Sequence, residues 1–277
     1  MSALVKTDIS SHWYLRDGTP FHEVPNKSKP GEMRPTTIRD AQPVRAVPSV
    51  TNILGMIDKP AIANYRVEQG ILASLTLPRL PGESDEDFAH RVVEDSEAHM
   101  KSSQKAGTGI DEACKRWIVD RSIDDEFAPY VRAFAEWFKR FDGLRSIVDV
   151  RIVDLADGYA GTADGIVFEN DRQFWVYDIK SQDVKIDKRT GKPAPGFYPE
   201  WPEQLAAYCA GFEEMNPMLE CLGAFSAVVD RKLIDGESRV FPKQYLPINL
   251  GLSLSTFQAA ATIWRNRKGY DPRETAH

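Results

Sequence analysis

Asp164, Asp178 and Lys180 are the residues of this 277-residue chain whose types and spacing could do chemistry. All three lie in GYAGTADGIVFENDRQFWVYDIKSQ, which runs from Gly158 to Gln182. The other residues there are ordinary strand material: Ile166, Val167 and Phe168 on one arm, Phe174, Trp175, Val176 and Tyr177 on the other. Acids and a lysine are costly inside a sheet unless they are paired or bind an ion. Residues two apart in a strand share a face, so Asp178 and Lys180 project together, and a hairpin in register brings Asp164 alongside. Two carboxylates on adjacent strands repel unless a cation lies between them. Carboxylate oxygens with a main-chain carbonyl, such as that of Ile179, form a ligand set for Mg²⁺ or Mn²⁺. A lysine beside that set can orient a water or stabilise charge developing on a phosphate. The combination suits phosphodiester hydrolysis. The alternative is a structural Asp–Lys pair at a strand end, since D-x-K alone arises by chance in most chains of this size. Gly158, Gly161 and Gly165 would let a nucleic-acid backbone approach closely.

These residues need elements to hold them. SIVDVRIVD, YAGTADGIVFE and QFWVYDIK read as three consecutive strands, with Asn170-Asp171 at a hairpin turn. PEQLAAYCAGFEEM follows as a helix with Pro202 in its first turn, then strands CLGAFSAVVD and SRVFPKQYL and a closing helix LSTFQAAATIWRNRK. Upstream, Ser49 or Thr51 is a plausible N-cap and Pro60 opens a second helix. Ser84 and Asp87 stand in capping-box spacing at the start of a charged helix. GTGIDEACKRWIVD reads as a further helix, with Gly107 and Gly109 at its start. Tyr130, Phe134, Trp137, Phe138 and Phe141 share one helical face, which reads as core in preference to a base-stacking platform. The pattern predicts an α/β sheet wrapped on both faces. Residues 1–46 read as an irregular arm with a β-hairpin around Asp17-Gly18, residues 47–145 as a helical part, and residues 146–277 as the sheet with its flanking helices.

With 42% hydrophobic residues the chain can bury a full core, and a net charge of −6 argues against wholesale basic coating of nucleic acid. A local basic groove stays open, because Lys185, Lys188, Arg189 and Lys192 crowd one Pro/Gly loop. Three cysteines without CxxC spacing fit a reducing compartment and are too few for a four-cysteine iron–sulfur cluster. MSALVKTDISSHW lacks a hydrophobic signal core, and no apolar run is long enough to cross a bilayer. A cytoplasmic protein with no membrane partner is expected.

AGTADGIVFENDRQFWVYDIKS followed by QLAAY is similar to the RecB-like branch of the PD-(D/E)XK nuclease superfamily, and VPSVTNIL resembles the segment opening the mitochondrial genome maintenance exonucleases and their phage relatives. The resemblance covers Val47 to Lys268. It implies a restriction-endonuclease-like core with a mixed central β-sheet flanked by helices and a helical N-terminal region, so that residues 47–277 form the nuclease domain. It implies Asp164 and Asp178 as metal-binding acids, Lys180 as the catalytic lysine, and Gln204 and Tyr208 as the Q-x-x-x-Y motif on the following helix. Packing with Leu205 and Phe212 is the alternative for Tyr208. Asp111 in GTGIDEA stands where the family shows a histidine. It is either a ligand that makes the inner shell all-oxygen, with Glu112 a weaker substitute, or the mark of an altered site. Ser49 and Thr51 could hold a phosphate at a helix start or merely cap it. The resemblance gives them, with Lys59 and Arg66, a place in receiving the DNA end, and Ser181, Lys185, Lys188 and Arg189, which follow Lys180, are the further expected DNA-binding residues. The implied activity is a metal-dependent DNA exonuclease using Mg²⁺ or Mn²⁺ on DNA ends, in recombination, repair or phage genome processing. DNA with free ends is the implied partner, and a single-strand annealing or recombination protein a further one. A flap endonuclease and a non-catalytic DNA-binding subunit are the alternatives. Polarity, strand preference and oligomeric state stay open.

Overall fold

A computed structural model describes residues His12–Arg273. The elements are β1 (Trp13–Tyr14), β2 (Glu23–Pro25), β3 (Met33–Pro35), α1 (Ile38–Val44), β4 (Val47–Pro48), α2 (Val50–Leu54), α3 (Pro60–Thr76), α4 (Asp85–Asp120) and α5 (Ala128–Phe138). They continue with β5 (Arg145–Asp154), β6 (Tyr159–Asn170), β7 (Gln173–Gln182), β8 (Lys185–Ile186), β9 (Pro193–Ala194), α6 (Glu200–Met215), β10 (Glu220–Asp230), β11 (Val240–Tyr245) and α7 (Pro247–Lys268). Ile57–Gly109 belongs to one compact unit, and Ile110 onward belongs to another together with the described residues up to Met56. The expected arm over residues 1–46 includes residues 1–11, which lie outside the described ones. Residues 12–46 fall in the same unit as the sheet.

The larger unit is built on a five-stranded mixed sheet in the order β11-β10-β7-β6-β5. β5, β6 and β7 form an antiparallel meander, β7 and β10 pair in parallel, and β11 returns antiparallel to β10. A parallel pair needs a crossover, and α6 supplies it. β10 is buried almost throughout, which explains why CLGAFSAVVD shows no alternation: both of its faces are covered. On one face Phe138 of α5 packs on Tyr177, and Phe141 in the turn just after α5 packs on Phe225, both with edge-to-face geometry. On the other, Phe212 of α6 packs on Phe174. The aromatics of α5 and of the turn after it are core, with Phe134 fully buried, Trp137, Phe138 and Phe141 nearly so and Tyr130 half-buried.

The smaller unit holds α3 and the first part of α4. Ser84 Oγ accepts from the Asp87 N–H while its hydroxyl donates to Asp87 Oδ2, so the predicted cap is formed. Glu83 and Arg91 pair beside it at 2.6 Å.

Three local expectations need correction and one an addition. Gly107 and Gly109 do not open a helix, because α4 runs unbroken through both. Each glycine costs an interior helix about 1 kcal/mol, which the burial of Ile110, Ala113 and Cys114 just beyond offsets. The Asp17-Gly18 turn exists, with Gly18 at φ 83°, and is closed by the Tyr14–Pro20 bridge with the Leu15 N–H donating to the Thr19 carbonyl and the Phe21 N–H to that of Trp13. β1 takes β4 as its ladder partner, which ties the arm to the larger unit. The loop after β7 contains a short hairpin, β8 with β9, whose tip is pinned by Asp187 Oδ1 accepting from the Arg189 and Thr190 N–H groups. The closing helix begins earlier than expected, at Pro247.

Candidate active site

The β6–β7 ladder ends at Gly165–Tyr177, so Asp164 and Asp178 are the first residues past the point where the two strands part. Asp164 bridges the gap with its side chain: Oδ2 accepts from the Ile179 N–H at 2.7 Å. A carboxylate that takes a main-chain donor in this way is fixed in orientation. Asp178 is 2% exposed, and its Oδ1 accepts from Lys180 Nζ at 2.7 Å. Burial pushes the Asp178 carboxyl above the ordinary range; Lys180 opposes that shift and the Asp164 charge adds to it.

α4 contributes two more residues. Asp111 and Lys115 sit one turn apart, and Lys115 Nζ lies 3.0 Å from Asp111 Oδ2, 2.8 Å from Asp164 Oδ1 and 2.9 Å from Asp149 Oδ1. Burial acts to lower the Lys115 pKa, but the Asp164 and Asp111 carboxylates outweigh it and hold the ammonium above its ordinary value. Asp111 is itself pushed up, first by burial and then by Asp164, against the pull of Lys115. Asp149 reaches Lys115 from an irregular point in β5. The ladder to β6 steps from Val148–Gly165 to Val150–Ala163, and Asp149 takes a left-handed φ of 51°. Aspartate tolerates that conformation better than most residues.

On α6, Gln204 Nε2 donates to the Tyr208 hydroxyl at 3.0 Å. The Tyr208 phenol is buried and raised in pKa, first by that burial, and it senses the Asp178 and Asp164 charges. Its ring lies over Gly161, where a built Cβ would stand 2.6 Å from Cε1. Tyr14 of the arm exchanges a hydrogen bond with Thr162 at 3.1 Å, two residues from Asp164. The glycines therefore do not hold open a path for a nucleic-acid backbone. Tyr208 covers Gly161, Tyr177 covers Gly165, and Gly158 serves a turn at φ 76°.

The remaining expected residues are placed differently. Ser49 is 3% exposed and accepts from the Asn52 N–H at 3.0 Å, so its hydroxyl caps α2. Thr51 is exposed, with its hydroxyl 3.0 Å from that of Ser49. α2 has only five residues, too short for a helix dipole to hold a phosphate at its start. Lys59 precedes α3 and Arg66 is exposed on it, both in the other unit. Ser181 pairs with Val229 of β10, Lys185 opens β8, and Lys188 and Arg189 are exposed in the hairpin turn. Glu112 is exposed on α4.

Among the described residues, no group of His, Cys, Asp or Glu side chains is gathered as a ready metal cage. Lys115 and Lys180 take up one oxygen each of Asp111, Asp164 and Asp178. Two buried carboxylate oxygens nevertheless have no hydrogen-bond partner, Asp111 Oδ1 and Asp178 Oδ2. Unpaired buried carboxylate oxygens are costly, and an all-oxygen donor set of this kind fits a hard divalent cation. Sequence reasoning missed Lys115 and Asp149. The i,i+4 spacing from Asp111 was the available signal for Lys115; Asp149 had none.

No family model matches the chain, and no curated protein does. Among solved structures it is similar to a protein from Eubacterium rectale described as a candidate exonuclease, with 16% identity over 53% of this chain, 56% of that chain and a TM-score of 0.35. The chain thus spans little more than half the length of that protein. It is also similar to an alkaline exonuclease from Laribacter hongkongensis, with 14% identity, 75% of this chain and 98% of that one covered, and a TM-score of 0.27. The same exonuclease in complex with dAMP gives 12% identity, coverage of 74% and 96%, and a TM-score of 0.28. These are distant likenesses. No helix among the described residues is long and apolar enough to cross a membrane.

Proposed function

We propose that this chain is a metal-dependent DNA nuclease of the PD-(D/E)XK superfamily, in its RecB-like branch, hydrolysing phosphodiester bonds from DNA ends with Mg²⁺ or Mn²⁺. One observation carries the reading. Asp164 and Asp178 stand together where β6 and β7 part, Lys180 is bonded to the second acid, and a buried oxygen on Asp178 is left without a partner. The order α5, β5-β6-β7, α6, β10 supports it, because that meander and crossover bring the acids and the α6 side chains to one strand end.

Asp178, Asp164, the Ile179 carbonyl and Asp111 would hold the ion. When bound, it would supply Lewis-acid stabilisation of the charge developing on the phosphate. The protein's own groups do the positioning. Asp164 is locked by the Ile179 N–H, so its second oxygen keeps one direction. Lys180 holds Asp178 with one of its three donors and can turn another toward a scissile phosphate. Gln204 fixes the Tyr208 hydroxyl close to the acids. DNA is the proposed substrate, in recombination, repair or phage genome processing, with a single-strand annealing or recombination protein as a further partner.

The test is digestion of end-labelled single- and double-stranded DNA, linear and circular, with Mg²⁺, with Mn²⁺ and with EDTA. Linear DNA should be degraded in a metal-dependent way and circular DNA spared; cleavage of circles would make the activity endonucleolytic. Asp178→Ala and Lys180→Ala should each lower the rate by a factor on the order of a thousand or more, because transition-state charge loses its stabiliser. Near-wild-type turnover in either folded variant would remove these residues from the chemistry.

A further inference from the structure

The observation that the proposed function leaves unused is Lys115. A lysine with 13% of its side chain exposed and three carboxylates around its ammonium is not a surface ion pair. Two of those carboxylates, Asp111 and Asp164, belong to the very set that would hold metal. Like charges this close need a cation between them, and in this fold Lys115 is that cation. It comes from the same helical face as Asp111, so the two arrive together. The irregular backbone at Asp149 turns a third acid onto the same ammonium.

We propose that Lys115 is a built-in cation of the active site, standing where a second divalent ion would otherwise bridge Asp111 and Asp164, so that the site takes a single metal ion. This rests on the proposed metal-dependent nuclease. A second divalent ion would have to take Asp111 Oδ2 and Asp164 Oδ1, the oxygens that Lys115 already holds, and would meet a fixed ammonium at short range with little water to screen the repulsion. Asp178 Oδ2 and Asp111 Oδ1, which remain without a partner, are the oxygens on these acids that the two lysines leave free for an ion. Lys115 thereby supplies, without exchange, part of the positive charge that a second ion supplies in a two-metal site. Its role is to position and neutralise the acids.

The experiment is a Mn²⁺ titration of the full chain, read as ions bound per chain by calorimetry and by the electron paramagnetic resonance of free Mn²⁺. Wild type should bind a single ion. Lys115→Met should bind a second one, because Asp111, Asp149 and Asp164 are then left without their cation. Lys115→Arg, which keeps the charge, should stay at a single ion. Two ions on wild type overturn the proposal whether or not the Met variant folds, while leaving the nuclease reading intact. A folded Lys115→Met that still binds a single ion overturns it equally. Absence of any Mn²⁺ binding by wild type overturns both this proposal and the metal-dependent reading beneath it.

Discussion

Asp178 and Asp111 are acids that the fold holds at a disadvantage, and the sign of that effect can be worked out. In both, burial is the first cause of a raised carboxyl pKa, and Asp164 adds to it. The folded-state values therefore lie above those of the unfolded chain, so the native state binds more protons as pH climbs out of the carboxylate range. The stability these groups contribute is greatest in acid and is lost as pH rises toward neutrality. Urea unfolding of metal-free protein at stepped pH should show this decline, and Asp178→Asn should flatten it and raise stability at neutral pH. An unchanged slope in that variant would mean Asp178 is not the strained acid. Lys180→Met should act in the opposite direction, lowering stability by about 3 kcal/mol, since it leaves a buried carboxylate without its cation. Asp111→His should retain more activity than Asp111→Ala and shift preference toward Mn²⁺, because imidazole can take the same ligand position but suits a softer ion. Equal activity of Asp111→Ala and wild type at limiting Mg²⁺ would exclude Asp111 as a ligand.

At the scale of elements, α6 is tied to β6 through Tyr208 and Gly161. A methyl group at Gly161 would meet the Tyr208 ring at 2.6 Å, so Gly161→Ala should cost about 1–3 kcal/mol by overpacking. Gly251 gives the contrast: it lies inside α7 with open space where a Cβ would stand, and Gly251→Ala should gain about 0.5–1 kcal/mol. Thermal melting separates the two, and a stable Gly161→Ala would show that the ring has room to move. The same elements show what could be read from the sequence. β6, the Asn170 turn and β7 were legible because strand period and turn residues agree there, and that register puts Asp164 and Asp178 side by side just past the end of the ladder. Continuity of α4 through Gly107 and Gly109 was not, because local propensity is weak against the burial of the residues that follow. Lys115 reaches Asp149 and Asp164 only through tertiary packing, and a left-handed aspartate inside a strand leaves no trace in hydropathy. The second partner of β1, β4, left no signal, because it is a distant strand of only two residues.

At the scale of the whole molecule, a chain with net charge −6 must attract a polyanion through a local excess of positive charge. The β8–β9 hairpin follows directly on β7, the strand that carries Asp178 and Lys180, and exposes Lys185, Lys188, Arg189 and Lys192. A solvated turn is the plain interpretation of such a run. Its backbone, however, is held by Asp187, which fixes where the charges stand without neutralising them by side-chain pairing. Each phosphate contact releases condensed counterions, so every contact removed should lower the log–log salt slope of duplex binding by about 0.9. Replacing all four with Gln should therefore weaken DNA binding at low salt and flatten its salt dependence. The rate at saturating DNA should change far less, because these side chains do not touch the acids. Fluorescence anisotropy across a salt series, on the Asp178→Asn background to prevent cleavage, measures the slope. An unchanged slope would return the hairpin to a solvated turn, whereas lost turnover at saturation with binding intact would place one of its cations at the reacting phosphate.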